Sequence, residues 1–186
     1  MRSSTASSSK ESSTADAPAR GNEGAEGAAP RTAWSGRRAW LALAALSLAV
    51  VALDQLTKGA VRSSITPGEE RGVLPGIDIV NTRNRGVAFG FLPGSHLGVT
   101  VLIGVALLAL LAYFARHSDR RLIWLPTGLL VGGALGNIVD RVRQGAVTDF
   151  IKLPLGWPPF NLADAAITLG ILALALLIDH SRHGDP

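Results

Sequence analysis

Four long apolar segments, separated by short polar stretches, dominate the chain after residue 37. Residues 97–115 and 122–139 carry no charge over 19 and 18 positions. That length is close to the roughly 20 apolar residues that a helix needs to cross a bilayer. The uncharged parts of the other two segments, residues 39–53 and 165–178, have only 15 and 14 residues. They reach spanning length only if they include polar residues, so aspartates enter the apolar zone there.

Backbone groups in lipid must hydrogen-bond within their own segment, so each apolar segment is predicted to be a helix. The predicted fold is an α-helical integral membrane protein with four transmembrane helices. The spans cover about residues 40–61, 97–115, 122–140 and 161–178. Within the third, Gly132-x-x-x-Gly136 predicts close approach of neighbouring helices, because small residues let helix backbones meet.

The polar stretch at about residues 65–92 has a different pattern. The segments IDIVN (77–81) and VAFGF (87–91) alternate apolar and polar residues around an Asn/Arg/Gly turn. This pattern predicts short strands. We expect a small β-structure at the outer membrane surface.

The N-terminal segment differs sharply in composition. Residues 1–36 contain 20 Ser, Ala or Gly residues, with four basic and four acidic side chains. Such a segment cannot bury enough apolar surface to offset its chain entropy, so it is predicted to be disordered. The predicted organisation is a cytoplasmic tail, residues 1–36, and a membrane domain, residues 37–182.

The net charge of +4 therefore belongs to the membrane domain, because the tail is neutral. It suits positive-inside anchoring and contact with membrane lipid, and no nucleic-acid partner is expected. The chain has no cysteine, which excludes disulfides, thiolate nucleophiles and cysteine-ligated metals.

Basic residues also predict the orientation. They cluster before the first segment and between the second and third. These residues are Arg31, Arg37, Arg38, Arg116, Arg120 and Arg121. Because cytoplasmic loops are enriched in Arg and Lys, both termini are predicted to lie in the cytoplasm. A signal peptide is the competing interpretation of the first segment, but its apolar core would be too long and three further spans follow.

Polar side chains are concentrated between the third and fourth spans, in residues 137–164. They are Asn137, Asp140, Arg141, Asp149, Asn161 and Asp164. Polar groups at the edge of a membrane domain are costly unless they are bonded or used, so this stretch is the candidate site.

Two of these aspartates form a candidate catalytic pair. Asp149 has apolar neighbours in a segment predicted to be extended, so burial should raise its pKa. Asn161 is a natural N-cap after two prolines, with Asp164 at the third helical position; the cap alone is a sufficient structural role. If the loop folds back, the two carboxylates can share a proton, one activating water while the other protonates the scissile carbonyl. This chemistry needs neither a metal nor a cofactor.

Two other groupings have simpler interpretations. Asp54 and Lys58 are four residues apart and predict an ion pair on one helix face. Asn137, Asp140 and Arg141 share a face at the end of the third helix, where Asp140 and Arg141 predict an interfacial pair.

Five short motifs carry a resemblance to a known family. They are LDQLTK (53–58), NRGVAFGF (84–91), GNIVDR (136–141), TDFI (148–151) and FNLAD (160–164). In this order, across four spans, the chain resembles the bacterial lipoprotein signal peptidases, the signal peptidase II family of aspartic intramembrane peptidases. Mild departures occur at Arg85, Val87 and Thr148, where the family pattern has a smaller residue, an alanine and an aliphatic residue.

The resemblance implies a function. Members remove the signal peptide from diacylglyceryl-modified prolipoproteins, cleaving before the lipidated cysteine, and cyclic peptide antibiotics inhibit them. It also implies four helices with an extracytoplasmic β-cradle.

The resemblance further assigns roles to individual residues. The catalytic residues would be Asp149 and Asp164; the substrate-binding residues Asn84, Asn137, Arg141 and Asn161; and the supporting residues Asp54, Lys58, Gly86 and Asp140.

Two other classes of function remain open at this point. A small proton-coupled transporter would use membrane aspartates as a relay, but it favours acidic groups near the bilayer midplane. A non-catalytic assembly protein would leave the clustered Asn and Asp residues without a use.

Overall fold

The computed structural model describes residues 36–85, 96–120 and 122–183. In this part of the chain the helices and strands are, in order, α1 (Gly36–Ser64), β1 (Glu70–Leu74), β2 (Ile77–Asn84), α2 (His96–His117), α3 (Trp124–Gln144), β3 (Val147–Lys152) and α4 (Leu162–His183). Apart from Gly36, the predicted tail lies outside the described residues. So do Gly86 and the predicted strand VAFGF.

Three of the described helices are long and apolar enough to cross a membrane. They are α1, α2 from Thr100 onward, and α4 up to Asp179. Helix α3 does not reach this standard, because its 21 residues include several glycines and extend to the polar sequence DRVRQ. The membrane-helix prediction is therefore confirmed at three positions, while the fourth span is not confirmed.

Glycines allow α3 to pack closely against both α1 and α4. A β-carbon at Gly136 would lie 2.7 Å from Oδ2 of Asp54 on α1, and one at Gly133 would lie 2.5 Å from the carbonyl oxygen of Ala163 on α4. Gly132 faces α1 in the same way. The predicted close approach at Gly132-x-x-x-Gly136 is confirmed, and it brings polar groups of three helices together.

The strands form one antiparallel sheet in the order β1-β2-β3. The predicted strand IDIVN begins β2, and a tight turn at Pro75 and Gly76 joins it to β1. Gly76 has φ 78°, which a glycine adopts without steric cost. On its other edge β2 pairs with β3, where Thr82 is opposite Asp149.

The sheet and the helices meet where β3 leaves α3 and where α4 begins. Gly145, with φ 69°, ends α3 and sends the chain directly into β3. Ile151 then forms an isolated β-bridge with Phe160, with backbone bonds of 2.8 and 3.0 Å. This bridge closes the intervening loop and brings β3 beside the start of α4.

Candidate active site

The site is centred on Asn161, which precedes α4 and contacts both aspartates of the predicted pair. Its side-chain Oδ1 accepts the backbone N–H of Asp164 at 2.9 Å, and its own backbone N–H donates to Oδ2 of Asp164 at 3.3 Å. This reciprocal arrangement is a capping box, so the predicted N-cap is confirmed. The Nδ2 of Asn161 donates to Oδ1 of Asp149 at 2.6 Å. The side-chain amide of Asn161 therefore bonds the Asp149 carboxylate, while its backbone N–H bonds the Asp164 carboxylate.

Asp149 lies on β3 and is almost fully buried, with 3% of its surface exposed. Burial raises the pKa of its carboxyl to about 6, and the nearby charge of Asp164 adds to this effect. Hydrogen bonds from Asn84 and Asn161, together with the charge of Lys58, act in the opposite direction. The upward direction predicted for Asp149 is confirmed, and desolvation is its largest cause.

Asp164 is held from the other side by α3. The Nδ2 of Asn137 donates to Oδ1 of Asp164 at 2.8 Å, and Oδ1 of Asn137 accepts a bond from Nζ of Lys58 at 3.0 Å. Because Lys58 can only donate, it fixes which end of the Asn137 amide faces Asp164. This relay joins α1, α3 and α4 at the site.

A buried charge cluster, formed by Asp54, Lys58 and Asp140, lies between α1 and α3. Lys58 Nζ lies 2.8 Å from Asp54 and 3.3 Å from Asp140, and all three side chains are fully buried. The predicted pair of Asp54 and Lys58 is confirmed. Asp54 also accepts the backbone N–H of Ala163 at 3.0 Å, and Gln55 donates to Asp140 at 3.1 Å. The cluster therefore ties the first turn of α4 to α1.

The predicted pair of Asp140 with Arg141 is wrong. The Asp140 carboxylate turns to Lys58 and Arg62 on α1, and Arg62 Nη1 lies 3.6 Å from its Oδ1. Arg141 instead donates to the carbonyl oxygen of Asn137, one turn back on α3, at 3.3 Å. The two residues are adjacent in sequence, but α1 supplies the cations that Asp140 meets.

Arg141 and Asn84 border the aspartate pair. Arg141 is half-buried, and its charge interacts with Asp164, Asp149 and Asp140. Asn84 ends β2 with an exposed side chain that hydrogen-bonds to Asp149. The structure thus brings together every predicted site residue except Gly86, which lies outside the described residues.

An apolar cavity of about 370 Å³ opens beside Asp164. Its walls come from the loop before α4 and from the first turns of that helix. They are Leu153, Trp157, Phe160, Asp164, Ala165, Thr168 and Leu169. Asp164 therefore contacts Asn137 and Asn161 and also borders the apolar cavity.

Sequence reasoning missed several residues that support the site. They are Gln55, Arg62, Thr82 and Thr148. Arg62 had a usable signal, because it continues the four-residue spacing of Asp54 and Lys58 on one helix face. The role of Thr82 depends on strand register, and that of Thr148 depends on the packing of β3 against α1 and α3; the local sequence specifies neither. No cluster of three His, Asp or Glu side chains suited to a metal ion occurs among the described residues.

Comparison with known proteins connects this geometry to a family. A family model described as signal peptidase (SPase) II matches residues 46–179. The lipoprotein signal peptidase of Moorella thermoacetica is 42% identical over 145 residues, covering 75% of this chain and 95% of the relative. That of Azoarcus sp. is 44% identical over 152 residues, covering 77% and 84%.

Solved structures agree with these matches. A bacterial membrane enzyme determined by the in meso method is similar with a TM-score of 0.68 at 33% identity, covering 76% of this chain and 90% of that one. A second such structure has the same TM-score at 32% identity, covering 77% and 94%. Both the sequence and the fold therefore lead to one conclusion: this chain belongs to the signal peptidase II family and is a membrane peptidase.

Proposed function

We propose that the protein removes signal peptides from prolipoproteins by an aspartic mechanism in which Asp149 and Asp164 are the catalytic pair. Lipoprotein signal peptidases are the relatives it matches, which supports the substrate class. The observation that supports the mechanism is Asn161, whose side-chain amide donates to the Asp149 carboxylate and whose backbone N–H donates to the Asp164 carboxylate. One residue therefore bonds both carboxylates, and the charge of Asp164 contributes to the raised pKa of Asp149.

The environments of the two carboxylates suggest separate roles. Burial raises the pKa of Asp149 to about 6, so it holds a proton to higher pH than an exposed aspartate. Asp164 accepts hydrogen bonds from the Asn137 amide and from the backbone of Asn161. In the proposed reaction Asp164 takes a proton from the attacking water, and Asp149 gives its proton to the carbonyl oxygen of the scissile bond.

The groups around the pair can hold an unwound segment of substrate. Asn84 is exposed at the end of β2, and Arg141 is half-buried beside the pair. Both can donate to backbone carbonyls that the substrate exposes when its helix opens, while Asn137 and Asn161 orient the carboxylates. The apolar cavity beside Asp164 suits an apolar group next to the scissile bond, and the lipid on the substrate cysteine is our candidate.

The proposed topology has α3 as the fourth span and both termini in the cytoplasm. Arg37 and Arg38 begin α1, and Arg116 lies at the end of α2, which supports this orientation. Asn137 links Asp164 to Lys58, near the opposite end of α1. The proposed topology therefore puts the aspartate pair at the outer surface. The proposed domain covers residues 37–182, preceded by the tail at 1–36.

Precursor processing tests the proposal directly. The purified full chain in lipid vesicles is given a prolipoprotein with or without diacylglyceryl on its cysteine, and the products are weighed by mass spectrometry. We expect cleavage of the lipidated precursor alone, with the lipidated cysteine at the new N-terminus. Equal cleavage of both precursors, or a product that begins elsewhere, would contradict the proposed specificity.

Asp140 is the alternative partner for one of the two carboxylates. It is fully buried and is bonded to Lys58, Gln55 and the backbone N–H of Thr148, which fits a supporting role better than contact with substrate. Asp140→Asn is therefore expected to retain measurable turnover in protein that folds. Loss of turnover in folded Asp140→Asn, together with an active Asp149→Asn, would assign the role to Asp140.

A further inference from the structure

We infer that Arg62 is a positioning residue for Asp149 and acts through Thr148. This inference rests on the proposed function, because it takes Asp149 as catalytic. Arg62 Nη1 donates to Oγ1 of Thr148 at 3.1 Å and lies 3.6 Å from Oδ1 of Asp140. The backbone N–H of Thr148 donates to Oδ2 of the same Asp140 carboxylate at 3.0 Å. We call these three residues the Arg62 clasp.

The clasp holds the residue next to Asp149 from two directions. Thr148 is fixed through its hydroxyl by α1 and through its backbone by α3, and only 1% of its surface is exposed. Successive side chains of a strand point to opposite faces. Thr148 therefore faces the end of α1, while Asp149 faces Asn161. The clasp fixes the backbone of β3 without contacting the carboxylate that would react.

A third contact restrains Asp149 from the sheet. Thr82, which is opposite Asp149 in β2, donates its hydroxyl to the Asp149 carbonyl oxygen at 2.9 Å. The sheet therefore holds one side of this short strand and the clasp holds the other. Loss of the clasp leaves the strand paired with β2 and bridged to Phe160 through Ile151. It releases the first residues of the strand, which include Asp149, from α1 and α3.

The buried charge cluster also stabilises the position of Arg62. Two buried carboxylates, Asp54 and Asp140, are matched by two cations, Lys58 and Arg62. Arg62 is the partly exposed member, with 26% of its side chain accessible. Its removal leaves Asp140 with Lys58, Gln55 and a backbone N–H, so folding should survive.

The residue type at position 148 matters for this contact. Thr148 supplies a hydroxyl that accepts the hydrogen bond from Arg62, which an aliphatic side chain could not do. The hydroxyl and the guanidinium therefore form a matched pair in this chain.

Steady-state cleavage of a lipidated precursor tests the inference in the full chain, reconstituted in vesicles. We expect Arg62→Leu to lower kcat about tenfold with KM changed less than about twofold, because the substrate is still bound but the acid is misplaced. Thr148→Val, which removes only the hydroxyl, should lower kcat about threefold. Arg62→Lys, which keeps a charged donor, should recover most of the loss.

Coupling between the two residues separates the clasp from general destabilisation. The double variant Arg62→Leu/Thr148→Val should be no slower than Arg62→Leu alone, since the second change removes a hydroxyl that has already lost its partner. Arg143→Leu is the matched control, because it removes an exposed arginine from the end of α3 that carries Asp140. Its kcat should equal that of wild type. Strictly additive losses in the double variant would overturn the inference.

Two further results keep the test decisive. If Arg62→Leu does not accumulate in membranes, Thr148→Val decides alone, and an unchanged kcat overturns the inference. Asp149→Asn separates this inference from the proposed function. An active Asp149→Asn enzyme refutes the catalytic pair, whereas an inactive one with wild-type kcat in both Arg62→Leu and Thr148→Val refutes only the clasp.

Discussion

Replacement of Lys58 by methionine should be among the most destabilising single changes at the site. Lys58 is fully buried and contacts Asp54 at 2.8 Å, Asp140 at 3.3 Å and the Asn137 amide at 3.0 Å. Methionine fills a similar volume but provides no charge, so two buried carboxylates lose their shared cation. Removal of one partner from a buried ion pair costs about 3–5 kcal/mol.

The expected shift in melting temperature follows from that cost. For a chain of this size each kcal/mol lowers Tm by about 2–4 °C, which gives a decrease of about 6–20 °C. Thermal unfolding in detergent, followed by tryptophan fluorescence, measures it. Arg143→Met is the control for loss of an exposed cation and should leave Tm unchanged within about 2 °C.

A compensating change sharpens the test. Asp54→Asn in the Lys58→Met background removes the charge that has lost its cation, since Asp140 keeps Arg62, and should recover part of the lost stability. A Lys58→Met protein that melts within about 2 °C of wild type would refute the reasoning, because the cluster would then not depend on its central cation.

The remaining predictions concern packing, the helix cap and pH. Gly133→Ala should lower Tm, because the added β-carbon would lie 2.5 Å from the carbonyl oxygen of Ala163. Gly104→Ala is the control: its β-carbon would have no atom within 4 Å, so Tm should be unchanged or raised. Asn161→Ala should lower stability by only about 1 kcal/mol through loss of the cap. It should lower precursor cleavage at least about 100-fold. Equally small effects on stability and cleavage would contradict the role of Asn161 in bonding both aspartates. Because the folded-state pKa of Asp149 is raised from 3.8 to about 6, its contribution to stability is full below pH 4 and is lost as pH rises through 6. Denaturant unfolding at pH 4 and pH 7 should show this loss in wild type and a smaller one in Asp149→Asn.

Local chemistry explains which parts of the site could be predicted. The Asn161 cap, with Asp164 at the third helical position, follows from spacing within one helix turn, and so does the Asp54–Lys58 pair. The raised pKa of Asp149 follows from its apolar neighbours. Each of these features depends on residues close together in sequence.

Packing between elements explains what could not be predicted. Adjacency in sequence predicts a pair of Asp140 with Arg141, but the partners of Asp140 come from α1. Only the close approach of α1 and α3 brings them together. Strand β1 and the register that places Thr82 opposite Asp149 also depend on tertiary pairing. The sequence of α3 includes an uncharged segment long enough to span a membrane. Several of its positions are glycines that allow close packing against α1 and α4, and glycine is less apolar than the residues usual in a span.

The central claim is that Asp149 and Asp164 together hydrolyse the precursor, and one measurement tests it most directly. Asp149→Asn and Asp164→Asn are reconstituted in vesicles at equal amounts of folded protein, with Asp78→Asn on β2 as the matched control, and cleavage of a lipidated prolipoprotein is followed. We predict that each pair variant loses at least about 1,000-fold in turnover while Asp78→Asn cleaves like wild type. Cleavage at the wild-type rate by either Asp149→Asn or Asp164→Asn would contradict the account.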